Sequence, residues 1–142
     1  MSKSYRPQHF ILQEYVPPSI FHQWGETAWE FLDERLLIMD DLIREKFGPV
    51  IINTWHSPAL IKKYGLREWS GLRTPASPYY SPTSQHCGRA SDKLLVRTPV
   101  EAARQYILSN PYEFPLIGGI ELRIDWLHTD VRAYDGIKTF SS

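Results

Sequence analysis

Residues 29–55 have the sequence WEFLDERLLIMDDLIREKFGPVIINTW, in which a helical pattern is followed directly by a strand pattern. Apolar residues of the first part recur at intervals of three and four positions and therefore share one face of a helix. These residues are Trp29, Leu32, Leu36, Met39, Ile43 and Phe47. Gly48 and Pro49 are typical of a helix end. The pattern predicts a long helix with an apolar face toward the core, and its charged residues are expected to face solvent.

The rest of the chain predicts one small sheet and one more helix. Residues 50–55 are rich in β-branched side chains and are enclosed by prolines, which is typical of a buried strand. An irregular segment is expected over 57–84, and a capping-box pattern predicts a short helix over 98–109. Apolar and charged residues then alternate, which predicts strands over 120–132. This order of elements predicts an α+β fold with an antiparallel sheet.

The composition indicates a single domain over residues 1–142, with an N-terminal arm over 1–16. Sixteen basic and sixteen acidic residues give zero formal net charge, which argues against binding of nucleic acid or an anionic membrane through bulk charge. The single cysteine excludes an internal disulfide scaffold. No run approaches the roughly 20 apolar residues of a membrane span, and no secretory signal is recognised. We therefore expect a protein that is cytoplasmic as made.

Two short segments concentrate the residue types that bind metals. Residues 84–92 are SQHCGRASD, and residues 125–132 are DWLHTDVR. Two imidazoles and one carboxylate form the ligand set of a catalytic zinc site. Zinc lowers the pKa of a bound water to about 7, and a nearby carboxylate can then accept the proton of that water. The spacing alone is also compatible with a buried structural histidine and a turn carboxylate.

The frame around these residues is more specific than their spacing. It has the form S-x-H-x-G-x-A-x-D over 84–92 and W-x-H-x-D-x-R over 126–132. This frame resembles the zinc D-alanyl-D-alanine peptidase family, which includes carboxypeptidases, dipeptidases and phage endolysin peptidases and shares its fold with the hedgehog signalling domain. The resemblance spans residues 50–132. It implies a long N-terminal helix that packs on a small antiparallel sheet.

The resemblance also implies a Zn²⁺ site with His86, Asp92 and His128 as the ligands. The family pattern has one more residue between the first histidine and the glycine, so the interval from His86 to Asp92 is one residue short here. The missing residue would rotate one ligand relative to the other unless the loop compensates. Cys87 lies beside the first ligand, and a free cysteine is more often a small packing residue than a metal ligand.

Two aspartates are candidates for the catalytic carboxylate. The resemblance implies the acidic residue three positions before the second histidine, which here is Asp125. In one unbroken strand, Asp125 would face away from His128, and only a turn or bulge between them would bring it to the metal. Without such a turn, Asp130 is the better candidate for a supporting or base role.

Three further residues are expected to contact substrate. Arg73 stands in a Gly-x-Arg sequence and corresponds to an arginine that grips carbonyl or carboxylate oxygens, a task that suits a planar guanidinium. Ser84 lies beside the first ligand in the motif. His56 follows the predicted strand at a position where some relatives have a substrate-binding arginine, so both His56 and Arg73 are candidates.

The resemblance therefore implies a zinc metallopeptidase that hydrolyses amide bonds in peptidoglycan peptides. Its expected partner is the peptide substrate, without nucleic acid or membrane. A phage-encoded protein is expected, either part of the virion or an endolysin that a holin releases to the cell wall. The alternative is a degenerate, non-catalytic member that keeps the fold as a virion structural or binding module.

Overall fold

The computed structural model describes residues 5–141. Its α-helices are α1 (Pro18–Trp24), α2 (Glu34–Phe47), α3 (Pro58–Tyr64) and α4 (Val100–Ser109). Short 3-10 helices cover Leu12–Glu14, Gly25–Phe31 and Pro111–Glu113. The strands are β1 (Val50–Ile51), β2 (Ala90–Leu95), β3 (Gly119–Glu121), β4 (Leu127–Asp130) and β5 (Lys138–Phe140). Residues 1–4 of the expected arm lie outside the described part.

The five strands form one sheet in the order β1-β2-β4-β3-β5. Neighbouring strands are antiparallel except for β5, which runs parallel to β3. The predicted α+β fold class is confirmed, but the sheet is mixed rather than purely antiparallel. The parallel pair arises because the chain passes through β4 before it returns to the free edge of β3. Within residues 5–141, no helix has the length and apolar character needed to cross a membrane.

The long helix begins later than the apolar periodicity predicts. Trp29 lies in a 3-10 helix and Leu32 is extended, so α2 starts only after Asp33. Asp33 ends the extended segment because its carboxylate accepts a hydrogen bond from the backbone nitrogen of Arg35 at 2.9 Å and caps the new helix. The helix ends where Gly48 predicts it, and this glycine has φ +90°.

The prediction that the charged residues of α2 face solvent is wrong for two aspartates. Asp40 is fully buried and Asp41 is nearly so. Asp41 accepts hydrogen bonds from the backbone of Gln8 and His9, which fixes the N-terminal segment against α2. Asp40 reaches the sheet, where its Oδ1 lies 3.0 Å from Lys93 Nζ. Buried charges require such partners, and the sequence pattern did not reveal them.

Other local predictions are corrected by tertiary hydrogen bonds. The strand predicted over 50–55 pairs with β2 only along β1, because the chain then turns and Thr54 N donates to Arg67 O at 2.9 Å. Helix α3 lies inside the segment that was expected to be irregular. Helix α4 ends at the predicted Ser109 but starts at Val100, and no capping box forms, since Thr98 Oγ1 donates to Phe47 O at 2.8 Å.

The hydrophobic core includes much of the N-terminal segment. Phe10, Leu12, Tyr15 and Val16 are all buried in it, together with the apolar face of α2. Residues 5–16 are therefore part of the domain rather than a separate arm. A backbone carbonyl of this segment also accepts a hydrogen bond from the loop that carries part of the candidate site.

The pairing of β2 with β4 determines where the polar residues lie. Asp92 is directly opposite His128, and Ser91 is directly opposite Thr129. Because side chains alternate along a strand, these two pairs point to opposite faces of the sheet. Ser91 and Thr129 point toward α2 and the core. Asp92 and His128 point to the other face, where a cavity opens.

Candidate metal centre

A cavity of about 860 Å³ is lined by all three residues that the sequence predicts as metal ligands. His86, Asp92 and His128 are 4%, 6% and 5% exposed. His86 comes from the loop before β2, whereas the other two come from neighbouring strands. The structure thus brings together residues that are separated by more than 40 positions in the expected motif frame.

One oxygen of Asp92 is the common neighbour of both imidazoles. Its Oδ1 lies 2.8 Å from His128 Nδ1 and 3.4 Å from His86 Nε2. One ligand atom from each residue lies within 4.8 Å of the other two, and the two imidazole centroids are 5.2 Å apart. Three ligand atoms at this spacing are compatible with one shared cation.

A backbone carbonyl sets the tautomer of His86. Its Nδ1 lies 2.8 Å from Gly71 O, and because a carbonyl only accepts, Nδ1 carries the proton. Nε2 therefore keeps its lone pair for a metal. The carbonyl is held in place because Leu72 N donates to Tyr15 O at 2.8 Å, and a Cβ at position 71 would lie 2.3 Å from that same oxygen. Only glycine permits this close approach.

A tight turn compensates for the residue that the first motif lacks. Arg89 N donates to Gln85 O at 3.0 Å, which closes one turn between His86 and β2. Gly88 within this turn has φ +104°, a conformation that favours glycine, and a Cβ there would lie 2.1 Å from Phe31 O. The shorter interval therefore does not move the first histidine away from the strands.

His128 is oriented by a second carboxylate. Its Nε2 lies 3.0 Å from Asp130 Oδ2, and Arg132 binds the Asp130 carboxylate through Nε and Nη2, both at 2.7 Å. Burial by itself would raise the pKa of Asp130, but hydrogen bonds from Arg132 and His128 outweigh burial and hold this pKa well below its ordinary value. Asp130 thus stays ionised and fixes the ring so that Nδ1 points toward Asp92.

The charges of Asp92 and His128 support each other. Burial by itself would raise the pKa of Asp92, but the hydrogen bond from His128 and the adjacent imidazole of His86 hold this pKa well below its ordinary value. Burial would lower the pKa of His128, but hydrogen bonds to Asp130 and Asp92 raise it. A metal cation would compete with the proton at His128 Nδ1, so metal binding is expected to release that proton.

The donor set and its surroundings fit zinc. Two imidazoles and one carboxylate match a catalytic zinc site with one position left for water. His86 offers a lone pair, Asp92 is ionised, and His128 has the carboxylate partner that orients metal-binding histidines. Over residues 5–141, these three are the one group of histidine, cysteine and acidic side chains placed to share an ion. Cys87 is exposed and is not part of the group.

The two aspartates expected as catalytic carboxylates do not reach into the cavity. A bend over 123–126 precedes β4, but Asp125 is exposed on it and does not line the cavity. Asp130 is occupied by the hydrogen bonds described above. Glu121, which the sequence analysis missed, lines the cavity, is 8% exposed and has its Oε1 4.0 Å from His128 Nδ1.

Strand alternation contains the signal that could have identified Glu121. Ile120 pairs with Thr129, and both side chains face the core. The next residue along β3 therefore faces the cavity, on the same side as His128. An acidic side chain at a buried position of a strand needs a partner or a function. The register of β3 against β4 was needed to recognise this, and the sequence does not supply it.

Two of the three expected substrate contacts line the cavity. Arg73 does so, although its guanidinium is already bonded to a ligand carboxylate and a backbone carbonyl, at 3.1 and 2.9 Å. Ser84 also lines it, and its Oγ accepts a hydrogen bond from His86 N at 3.1 Å, so it supports the first ligand. His56 lies outside the lining and packs edge-on against Trp55, because the chain turns away after β1.

Comparison of the chain with protein-family models, curated proteins and solved structures gave no match. Three potential ligand atoms within 4.8 Å of one another and the cavity beside them are the features of this site that point to a function.

Proposed function

We propose that the chain is a zinc-dependent peptidase that hydrolyses amide bonds in peptidoglycan peptides. The observation that carries the proposal is the convergence of His86, Asp92 and His128 beside a cavity of about 860 Å³. A cavity of this volume is in the range of ligand pockets and can enclose a short peptide. The motif frame around the same three residues supplies the reaction class.

His86 Nε2, His128 Nδ1 and the Asp92 carboxylate would hold the zinc ion. When bound, zinc supplies a Lewis acid for the scissile carbonyl and lowers the pKa of water. The chain keeps the ligands in position: Asp130 fixes the ring of His128, and Arg73 Nη2 binds Asp92 Oδ2 at 3.1 Å. Because Arg73 binds Oδ2 of Asp92, the other oxygen, Oδ1, faces both imidazoles.

Glu121 is the carboxylate best placed to accept the proton of the attacking water and to return it to the leaving amine. It lines the cavity, and its Oε1 lies 4.0 Å from a proposed ligand nitrogen. Asp125 is exposed outside the cavity lining, and Asp130 is bonded to Arg132 and His128. We therefore assign proton transfer to Glu121 and the orientation of His128 to Asp130.

Metal analysis of the purified protein tests the first part of the proposal. We expect one zinc per chain by plasma mass spectrometry, and loss of that zinc in His86→Ala and His128→Ala. His22→Ala is the matched control, because His22 lies outside the cavity lining, and it should retain the metal. A folded wild-type protein that takes up no zinc would contradict the proposal and favour the non-catalytic module.

Digestion of purified peptidoglycan tests the assignment of the carboxylates. Proton-transfer groups typically contribute about 10²–10⁴-fold to a rate, so we expect a loss in this range for Glu121→Gln with zinc content unchanged. Asp125→Asn should digest the substrate like wild type. The reverse result, with activity lost in Asp125→Asn and kept in Glu121→Gln, would return proton transfer to Asp125.

A further inference from the structure

Three arginines line the cavity, and two of them are already used by the protein. Arg73 binds Asp92 and a backbone carbonyl, and Arg132 binds Asp130 through two nitrogens. The third is Arg67. Among residues 5–141, no hydrogen-bond or ion-pair partner is found for its two terminal amino groups.

Arg67 is nevertheless held firmly at the cavity wall. Its backbone nitrogen donates to Thr54 Oγ1 at 2.8 Å, and its carbonyl accepts from Thr54 N at 2.9 Å. Its Nε donates to Ile52 O at 3.2 Å, which fixes one edge of the guanidinium against the core. A side chain that is already ordered in this way loses little conformational entropy when it binds a ligand.

The charge of Arg67 is only partly compensated. Burial lowers the pKa of its half-buried guanidinium, and the nearby Asp92 carboxylate counters this effect. An arginine nonetheless stays protonated in proteins. Asp92 already accepts hydrogen bonds from Arg73 and His128 and lies against His86, so it has little capacity left for Arg67. Arg67 therefore places a cation at the cavity wall, and its two terminal amino groups can donate hydrogen bonds to a ligand.

We propose that Arg67 binds a carboxylate of the ligand, so that the cavity takes peptides with a free carboxylate group. The two terminal amino groups of a guanidinium match the two oxygens of a carboxylate in a planar, bidentate pair. Trp69 and Tyr79 also line the cavity and add aromatic surface for the rest of the ligand. That the ligand is a peptide rests on the proposed function. That it carries a carboxylate rests on Arg67.

The test measures binding rather than hydrolysis, by calorimetric titration of the zinc-loaded protein. The first probe is N-acetyl-Ala-Ala with a free terminal carboxylate, and the second is its terminal amide. The third is amidated N-acetyl-Glu-Ala, which carries its carboxylate on a side chain. A charge-assisted pair predicts that wild type binds at least one carboxylate probe about tenfold or more tightly than the neutral amide. Tighter binding of N-acetyl-Ala-Ala would identify a terminal carboxylate as the group that Arg67 binds, and tighter binding of amidated N-acetyl-Glu-Ala would identify a side-chain carboxylate.

Arg67→Gln should reduce this preference to about onefold, and Arg67→Lys should keep part of it because it retains the charge without the planar pair. Arg97→Gln is the matched control, since Arg97 is exposed outside the cavity lining, and it should behave like wild type. Equal binding of all three probes by wild type, or an undiminished preference in a folded Arg67→Gln, would overturn the inference. A protein that binds the acid but never hydrolyses peptides would contradict only the proposed function.

Discussion

The two faces of the β2–β4 strand pair each carry a buried polar cluster, and the clusters differ in how their hydrogen bonds are completed. On the core face, the ammonium of Lys93 donates to Ser91 O, Ser91 Oγ and Thr129 Oγ1 at 3.1, 2.7 and 2.7 Å. Asp40 Oδ1 lies 3.0 Å away, and Ser91 Oγ and Tyr15 OH both donate to Asp40 Oδ2. We call this the core cluster. Its partners all come from the protein.

The cavity cluster, which consists of His86, Asp92 and His128, is arranged differently. Two imidazole nitrogens point at the same carboxylate oxygen, and a cavity adjoins them. In the core cluster each polar side chain is held by another protein group, with Asp40 Oδ1 paired to the charge of Lys93 rather than hydrogen-bonded, whereas the cavity cluster turns two imidazole nitrogens and a carboxylate oxygen toward one place beside a cavity. Buried polar residues on adjacent positions of one strand can therefore complete a network in the core on one face and line a cavity on the other.

The largest effect is expected from breaking the core cluster. Lys93→Ala leaves the Asp40 carboxylate buried without its cation, and loss of one partner of a buried pair typically costs about 3–5 kcal/mol. Urea unfolding should show this loss. Lys138→Ala, at an exposed position of β5, should change stability by less than about 0.5 kcal/mol. Similar stabilities for the two variants would show that the core cluster contributes little.

Added zinc should stabilise the protein only through the cavity cluster. At a free zinc concentration 100 times the dissociation constant, ligand linkage gives about 2.7 kcal/mol of added stability. The same urea measurement with and without zinc should show this gain in wild type and none in His128→Ala. A gain of equal size in His128→Ala would mean that the zinc binds elsewhere.

A smaller effect is expected when the carboxylate that orients His128 is neutralised. Asp130→Asn keeps the shape of the side chain but weakens its bond to His128 Nε2, and outer-shell substitutions of this kind typically reduce metal affinity about 10–100-fold. A competition titration with a chromophoric chelator measures this affinity. Asp135→Asn, at an exposed site, is the control. An unchanged metal affinity in Asp130→Asn would show that Asp130 does not support metal binding through His128.

The sequence predicted which residues come together at the cavity better than it predicted the fold details. The motif frame singled out His86, Asp92 and His128, which the structure places as a group that could hold an ion, because their identities and order are local features. The α+β class and the end of α2 at Gly48 were likewise predictable from composition and turn chemistry. These features depend on short stretches of chain, which is what pattern analysis measures.

Features that depend on register and tertiary contact were not predictable. Asp40 looks like a solvent-facing helix residue until its partner Lys93, more than 50 positions away, is known. Glu121 lines the cavity through the register of β3 against β4, and Asp125 lies outside the cavity lining on the exposed bend before β4. In each case the local sequence leaves open which face a residue occupies, because that is set by strand pairing and tertiary contacts.

The smallest predicted effect lies at the edge of the core cluster and depends on pH. Burial, with a further contribution from the charge of Asp40, raises the pKa of Glu14 from 4.5 to about 7, although a hydrogen bond from Ile11 N lowers it. Between pH 4.5 and 7, Glu14 is therefore protonated in the folded state but ionised in the unfolded state. As the pH rises through this window, the contribution of Glu14 to the free energy of unfolding falls. Above pH 7 its charge is a constant cost.

Glu14→Gln removes that charge while its amide oxygen can still accept the hydrogen bond from Ile11 N. Because part of the side chain contacts water, we expect the variant to be more stable than wild type by about 1 kcal/mol at pH 8 and equally stable at pH 4. Thermal unfolding at the two pH values measures the difference. A stability difference that is the same at both pH values would arise from packing rather than charge, and it would confine the electrostatics of the core cluster to Asp40 and Lys93.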